Sequence, residues 1–242
     1  MDNKDIFSLV SLVFYSIVYL PQFSLIYKNK SSHGISIWML IMWTQADALS
    51  LFGTILLYLP ISFLAMALYH FLVGTLLICF VLFYNYKNNK NNDENNDINK
   101  ENKYKRFEIY YSIGFMIINI LIGIILITCI KTPNNTIGGF ISWITMCLYI
   151  IGRFPQIYDN WNTRTTEGLS LLMYIFTMLG NLFYIAVIYF SPEYLIENIP
   201  WLISSIISIL LDIVIIIQHY YYKNLNDNNK NKHGNYKLLE ES

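Results

Sequence analysis

Two carboxylates, Asp47 and Asp212, stand in the middle of long apolar runs. Placing a charge there costs at least ~2.5 kcal/mol in a bilayer, so each needs a compensating partner or a watery cavity. The chemistry this suggests is the binding of a cation, a proton or a cationic solute. The competing role is a carboxyl bonded to a neighbouring helix, fixing packing only. The sequence holds no nucleophile–base arrangement, no HExxH metal pair and no phosphate-cradling glycine loop, so neither an enzyme nor a metal or other cofactor is expected.

The dipeptide Pro-Gln occurs twice, as Pro21-Gln22 and Pro155-Gln156. A gapless shift of 134 positions lays Pro21 on Pro155, Tyr27 on Trp161, Lys30 on Arg164, Ser32 on Thr166, Gly34 on Gly168 and Ser36 on Ser170. Such self-similarity in an apolar chain points to two like bundles around a shared path. The shift also carries Asp47 onto Asn181, a carboxylate onto its neutral isostere. A site between them has one negative side, which suits a positive group at Asp47, while Asn181 bonds the polar remainder. Each proline removes a backbone hydrogen bond and clashes with the carbonyl four residues earlier, so Pro21 and Pro155 are expected to kink their helices and act as hinges. Gln22, Gln156 and Trp43 are expected beside Asp47 and Asn181 as substrate-binding residues, since irregular backbone at membrane depth lines water or protein. Asp212 is expected in proton coupling or gating.

The elements that position these residues follow from composition. Hydrophobic residues make up 55% of the 242, charged residues 13% and aromatics 17%, which puts the chain in a bilayer. The net charge of zero offers nothing to nucleic acid. Cys79, Cys129 and Cys147 have no metal or disulfide spacing and are expected as small core residues. Seven stretches are long enough to cross the membrane, near Ile6–Tyr27, Ile35–Tyr58, Ile61–Tyr84, Ile109–Ile130, Gly138–Asn160, Leu169–Phe190 and Ile199–Tyr222. The first has Pro21-Gln22 where a cleavage site needs small residues, so it is expected to be retained.

The loops after spans one, three and five, with the C-terminal tail, hold thirteen Lys and Arg; the opposite side holds Lys4 and Lys131. The excess sets the N-terminus in the lumen or outside and the C-terminus in the cytosol, which requires an odd number of spans. The expected architecture is therefore an all-α membrane protein of seven helices in two parallel three-helix bundles joined by one helix, a 3+1+3 order. Residues 1–86 form the first bundle, 87–108 a disordered Asn-rich cytosolic linker, 109–130 the linker helix, 138–222 the second bundle and 223–242 a cytosolic tail. Tyr236 and Leu239 fit a tyrosine-plus-bulky-apolar sorting signal in that tail. Asn134 opens a lumenal glycosylation sequon close to the membrane. His70 and His219 are expected to be satisfied by neighbours, with a minor alternative of a relay between Asp212 and His219; Arg153 is expected to snorkel to the cytosolic interface.

On the segments RFPQIYDNWNTRTTEGLSLL from Arg153, LGN at Leu179–Asn181 and NIPWLISSIISILLDIVIIIQ from Asn198, the chain resembles the PQ-loop repeat proteins, and among them the lysosomal and vacuolar cationic amino acid exporters. The resemblance implies the twin bundles of the SWEET relatives. It also implies alternating access about Pro21 and Pro155, with export of Arg, Lys or His from an acidic organelle to the cytosol. The cationic side chain is then expected near Asp47, and the amino acid end at Asn181. The family's usual Gly-Asp reads Ala46-Asp47 here, which changes how closely a neighbour approaches but keeps the charge. Two other readings stand: a cystine–proton symporter, whose relatives typically carry a further Asp where this chain has Thr177, and a lysosomal scaffold or receptor that signals amino acid status to a cytosolic adaptor.

Overall fold

A computed structural model of the chain describes residues 2–57, 61–92, 135–191 and 195–240, with scattered positions between 110 and 121. The described residues form helices α1 (Asn3–Ile17), α2 (Leu20–Asn29), α3 (Ile37–Leu56), α4 (Ile61–Asn92), α5 (Asn135–Ile151), α6 (Arg153–Thr163), α7 (Leu171–Tyr189) and α8 (Leu195–Glu240).

The two prolines set where the first helix of each half breaks. In an unbroken helix, residue 21 would donate to the carbonyl of Ile17, and residue 155 to that of Ile151. Proline has no N–H to give, and α1 and α5 end at those two residues. The chain resumes at once as α2 and α6, so each pair still makes one membrane-length element, Asn3–Asn29 and Thr136–Thr163. With α3, α4, α7 and α8 these give six helices among the described residues long and apolar enough to cross a membrane, three in each half. The expected joining helix at 109–130 lies almost wholly outside the described residues. Helix α4 runs on to Asn92, so the Asn-rich segment begins as helix; residues 93–108 and Asn134 lie outside the described residues. Tyr236 and Leu239 sit on the backbone of α8, and their side chains are outside the described residues too.

The halves interlock. Helix α1 packs on α7 of the other half, and α3 packs on α5, so first and second spans exchange partners reciprocally. Helices α4 and α8 complete each half against α3 and α7. The core between them is apolar, built from Ile26, Met39, Leu40, Leu77, Ile78, Met173, Tyr174 and Ile215. Large apolar side chains such as Leu76 and Ile217 point outward, as lipid-facing surfaces require. Cys79 and Cys147 are exposed on that outer face instead of in the core: a thiol behaves as a small apolar group, which lipid accepts as readily as protein does. Cys129 lies outside the described residues.

Candidate functional site

Each half turns into its second span through the same loop. Lys30 and Arg164 close α2 and α6 in the left-handed conformation, with φ of 51° and 53°. Gly34 and Gly168 follow at φ 95° and 86°. The two turns cross: a Cβ on Gly34 would collide with the Glu167 carbonyl, and one on Gly168 with the His33 carbonyl. Glycine is needed at both for the positive φ and for this approach.

The glutamines of the two Pro-Gln motifs hold the crossing together. Gln22 accepts from the Ser170 N–H at 2.8 Å and donates to the Gly168 carbonyl at 3.1 Å. Gln156 accepts from the Ser36 N–H at 2.7 Å and donates to the Gly34 carbonyl at 2.8 Å. Each amide thus ties down the opposite half just before its second span, where helix-start N–H groups lack partners. Expected along the path, both glutamines are wholly buried, and their amides are bonded to backbone. Gln156 also donates to Asn160, which donates to Gln218.

Deeper in, the carboxylate and its isostere take matching partners. The Tyr149 hydroxyl of α5 donates to Asp47 Oδ1 at 2.5 Å, and the Tyr15 hydroxyl of α1 donates to Asn181 Oδ1 at 2.9 Å. Tyr15 and Tyr149 are themselves 134 apart. Asp47 and Asn181 are both buried; the Tyr19 hydroxyl also reaches the Asp47 carboxylate, and among the described residues Oδ2 has no further hydrogen-bond partner. His70 of α4 holds Nδ1 3.9 Å from Asp47 Oδ1, and Thr44, one turn before Asp47 on α3, is buried with it. Sequence reasoning passed over Tyr15, Tyr149 and Thr44, although the 134-residue shift pairs the two tyrosines; with twenty tyrosines in the chain, that match carries little signal.

Asp212 of α8 is already paired. It takes Arg153 in a two-pronged ion pair at 2.8 and 3.3 Å, with both residues buried. Arg153 was expected at the interface; a buried acid one helix away draws it inward, because an unpaired charge in this setting is far costlier than a paired one. Its guanidinium also donates to the Tyr149 carbonyl at 2.6 Å and lies 4.8 Å above the Trp43 ring. Trp43 therefore sits between the two acids' surroundings. His219 pairs with Thr166 at 2.8 Å, which leaves it turned to a loop residue instead of toward Asp212. Among the described residues no group of three or more His, Cys, Asp or Glu is placed to hold a metal ion.

Comparison with known proteins agrees with this repeat. A model described as PQ loop repeat matches residues 5–63 and 137–197, one copy in each half. The lysosomal amino acid transporter 1 homolog of Homo sapiens is 36% identical over 100 residues, covering 38% of this chain and 34% of that protein. The counterpart from Gallus gallus is also 36% identical over 100 residues, covering 38% and 33%. The vacuolar lysine transporter YPQ1 of Saccharomyces cerevisiae is 36% identical over 92 residues, covering 37% and 30%. The matched part spans about a third of the length of these curated relatives. These relatives are named as transporters, not enzymes. A solved eukaryotic SWEET transporter superposes with a TM-score of 0.58 at 12% identity, over 92% of this chain and 97% of that one, so the fold is shared.

Proposed function

The chain belongs to the PQ loop repeat family, and from that premise we propose that it carries the cationic amino acids Arg, Lys and His from the lumen of a lysosome or vacuole to the cytosol. The observation that carries this reading is Asp47: a buried carboxylate bonded to Tyr149 of the opposite half and reached by Tyr19, with no Lys or Arg paired to it among the described residues. A carboxylate without a cation is costly at membrane depth, so a positively charged cargo is favoured there over a neutral one. Asn181, held by Tyr15, contributes the neutral polar side of the same site.

Alternating access then works through the breaks at Pro21 and Pro155. Each half bends where its first helix is interrupted, and the loop crossing at Gly34 and Gly168 is the closed gate of one side. Gln22 and Gln156 act as its latches. Asp212, braced by Arg153, holds the wall behind Trp43 and gates by position. The lysine-rich loops face the cytosol, with the N-terminus lumenal. A transmembrane potential, worth about 2.3 kcal/mol per charge per 100 mV, is sufficient to drive a cation down its gradient.

The test is uptake of radiolabelled arginine by proteoliposomes. Wild type is expected to take it up, and Asp47→Asn, with unchanged folding, to lose most of that uptake. An Asp47→Asn protein that transports as well as wild type removes the reading. A folded wild type that takes up no arginine points instead to the scaffold role.

A further inference from the structure

The shift of 134 positions that lays Asp47 on Asn181 also lays Tyr19 on Arg153. Tyr19 reaches the Asp47 carboxylate within its own half. The two halves therefore meet with unlike groups, an acid beside a phenol in the first, an amide and a guanidinium in the second. Arg153 stands where they meet. It bonds Asp212 of α8 and the Tyr149 carbonyl of α5, and it lies 4.8 Å over the Trp43 ring of α3. Its charge also acts on Tyr174 of α7 and on Tyr15 of α1, the tyrosine that bonds Asn181. Arg153 and Trp43 are 2% and 4% exposed in this closed arrangement. One belongs to each half, so parting of the halves opens the space between them.

The ion pair leaves donors over. A guanidinium carries five N–H donors in a planar fork. Two are taken here by Asp212 and one by the Tyr149 carbonyl, so the fork keeps donors for a second acceptor. Trp43 Nε1, which can only donate, is buried without a hydrogen bond. Buried polar atoms are normally paired, so spare donors around a fixed cation point to an anion that comes and goes. A carboxylate suits them, since it is acceptor-only and takes charge-assisted bonds. Asp47 is one turn beyond Trp43 on α3, about 6 Å along the axis, roughly the reach of an extended arginine or lysine side chain. A donor pole and an acid pole thus share one face of that helix.

We propose that Arg153, with the Trp43 indole N–H, binds the α-carboxylate of the cargo amino acid, and that Asp212 is the fixed counter-ion that aims the guanidinium. The inference rests on the transport reading above and gives the amino acid end a charged partner beside Asn181. Neither pole selects basic amino acids alone. A neutral amino acid satisfies Arg153 but leaves Asp47 without a cation, and an amine without a carboxylate satisfies Asp47 but leaves the donors bare. Only an amino acid with a cationic side chain serves both.

Competition against labelled arginine uptake tests this in the wild type, with unlabelled arginine and with agmatine, which keeps both cationic groups of arginine and lacks only the carboxylate. Agmatine is expected to compete at least about tenfold more weakly, from the loss of charge-assisted bonds. Trp43→Phe keeps an aromatic face beneath the guanidinium and loses the N–H. It is expected to raise the KM for arginine by about tenfold while leaving inhibition by agmatine unchanged. The double variant Arg153→Leu with Asp212→Leu leaves neither charge buried alone, and by thermal shift in detergent it is expected to bind arginine no better than agmatine. Agmatine competing as well as arginine in the wild type, a folded double variant that still prefers arginine, or an unchanged KM in Trp43→Phe overturns the inference and leaves transport standing. Absence of arginine uptake by wild type overturns the transport reading, and the inference with it.

Discussion

Gly34 and Gly168 meet backbone to backbone, each turned into positive φ and each pressed against the carbonyl that precedes its twin. No side chain lies between the two glycines, and the Gln22 and Gln156 amides brace the contact by bonding the carbonyls of Gly168 and Gly34.

Replacing either glycine by alanine is therefore expected to be severe. The positive φ alone costs roughly 1–2 kcal/mol for an L-residue, and the carbonyl of the opposite loop must also move. Gly34→Ala and Gly168→Ala are expected to lower the melting temperature in detergent by similar amounts. Unequal losses, or none, contradict the symmetric crossing described here.

The two latches, Gln22 and Gln156, invite a double-mutant cycle. Removing one amide leaves a buried N–H and a buried carbonyl without partners, at about 1–3 kcal/mol for each group. The two latches bind one crossing, so Gln22→Ala and Gln156→Ala together are expected to cost less than the sum of the single changes. Strict additivity measured by chemical or thermal unfolding shows that the loops act independently.

The Arg153–Asp212 pair gives a test by charge. Taking away one partner leaves the other buried and unpaired, expected to cost about 3–5 kcal/mol. Asp212→Leu and Arg153→Leu should each destabilise strongly, whereas the double variant should recover much of the loss. A double variant no better than either single one removes the ion pair from the account.

Tyr15 and Tyr149 separate shape from charge. Tyr149→Phe deletes a hydroxyl from the carboxylate, Tyr15→Phe the equivalent one from the amide. Hydrogen bonds to charged groups contribute about 1.5–3 kcal/mol, against about 0.5–1.5 for neutral ones. The KM for arginine is expected to change more in Tyr149→Phe than in Tyr15→Phe. The reverse order places the charged contact on the wrong side of the site.

The residues that were legible in the sequence are those whose role needs one residue type. A positive φ asks for glycine and a helix break for proline, so both survive the shift of 134 positions unchanged and mark the twofold repeat. Asp47 was legible because ionisable groups are rare in apolar spans. Arg153 was misjudged for a reason of dimension: hydropathy along the chain shows depth but not which helix face meets which, and its partner lies 59 residues away. Thr44 was silent because a hydroxyl is ordinary in a membrane helix until packing buries it with an acid. Gln22 and Gln156 were seen as important, yet their partners, loop backbone atoms of the other half, leave no mark in side-chain identity.

The swap of partners between α1 and α7, and between α3 and α5, has a consequence for ancestry. A surface that binds its own rotated image is self-complementary, so two identical short chains would assemble with the same bonds. Such an assembly places an acid at both twin positions or at neither. Once the two copies are encoded separately, as in this joined polypeptide, one can keep aspartate at position 47 while the other carries asparagine at 181, and the site gains a negative charge off the axis.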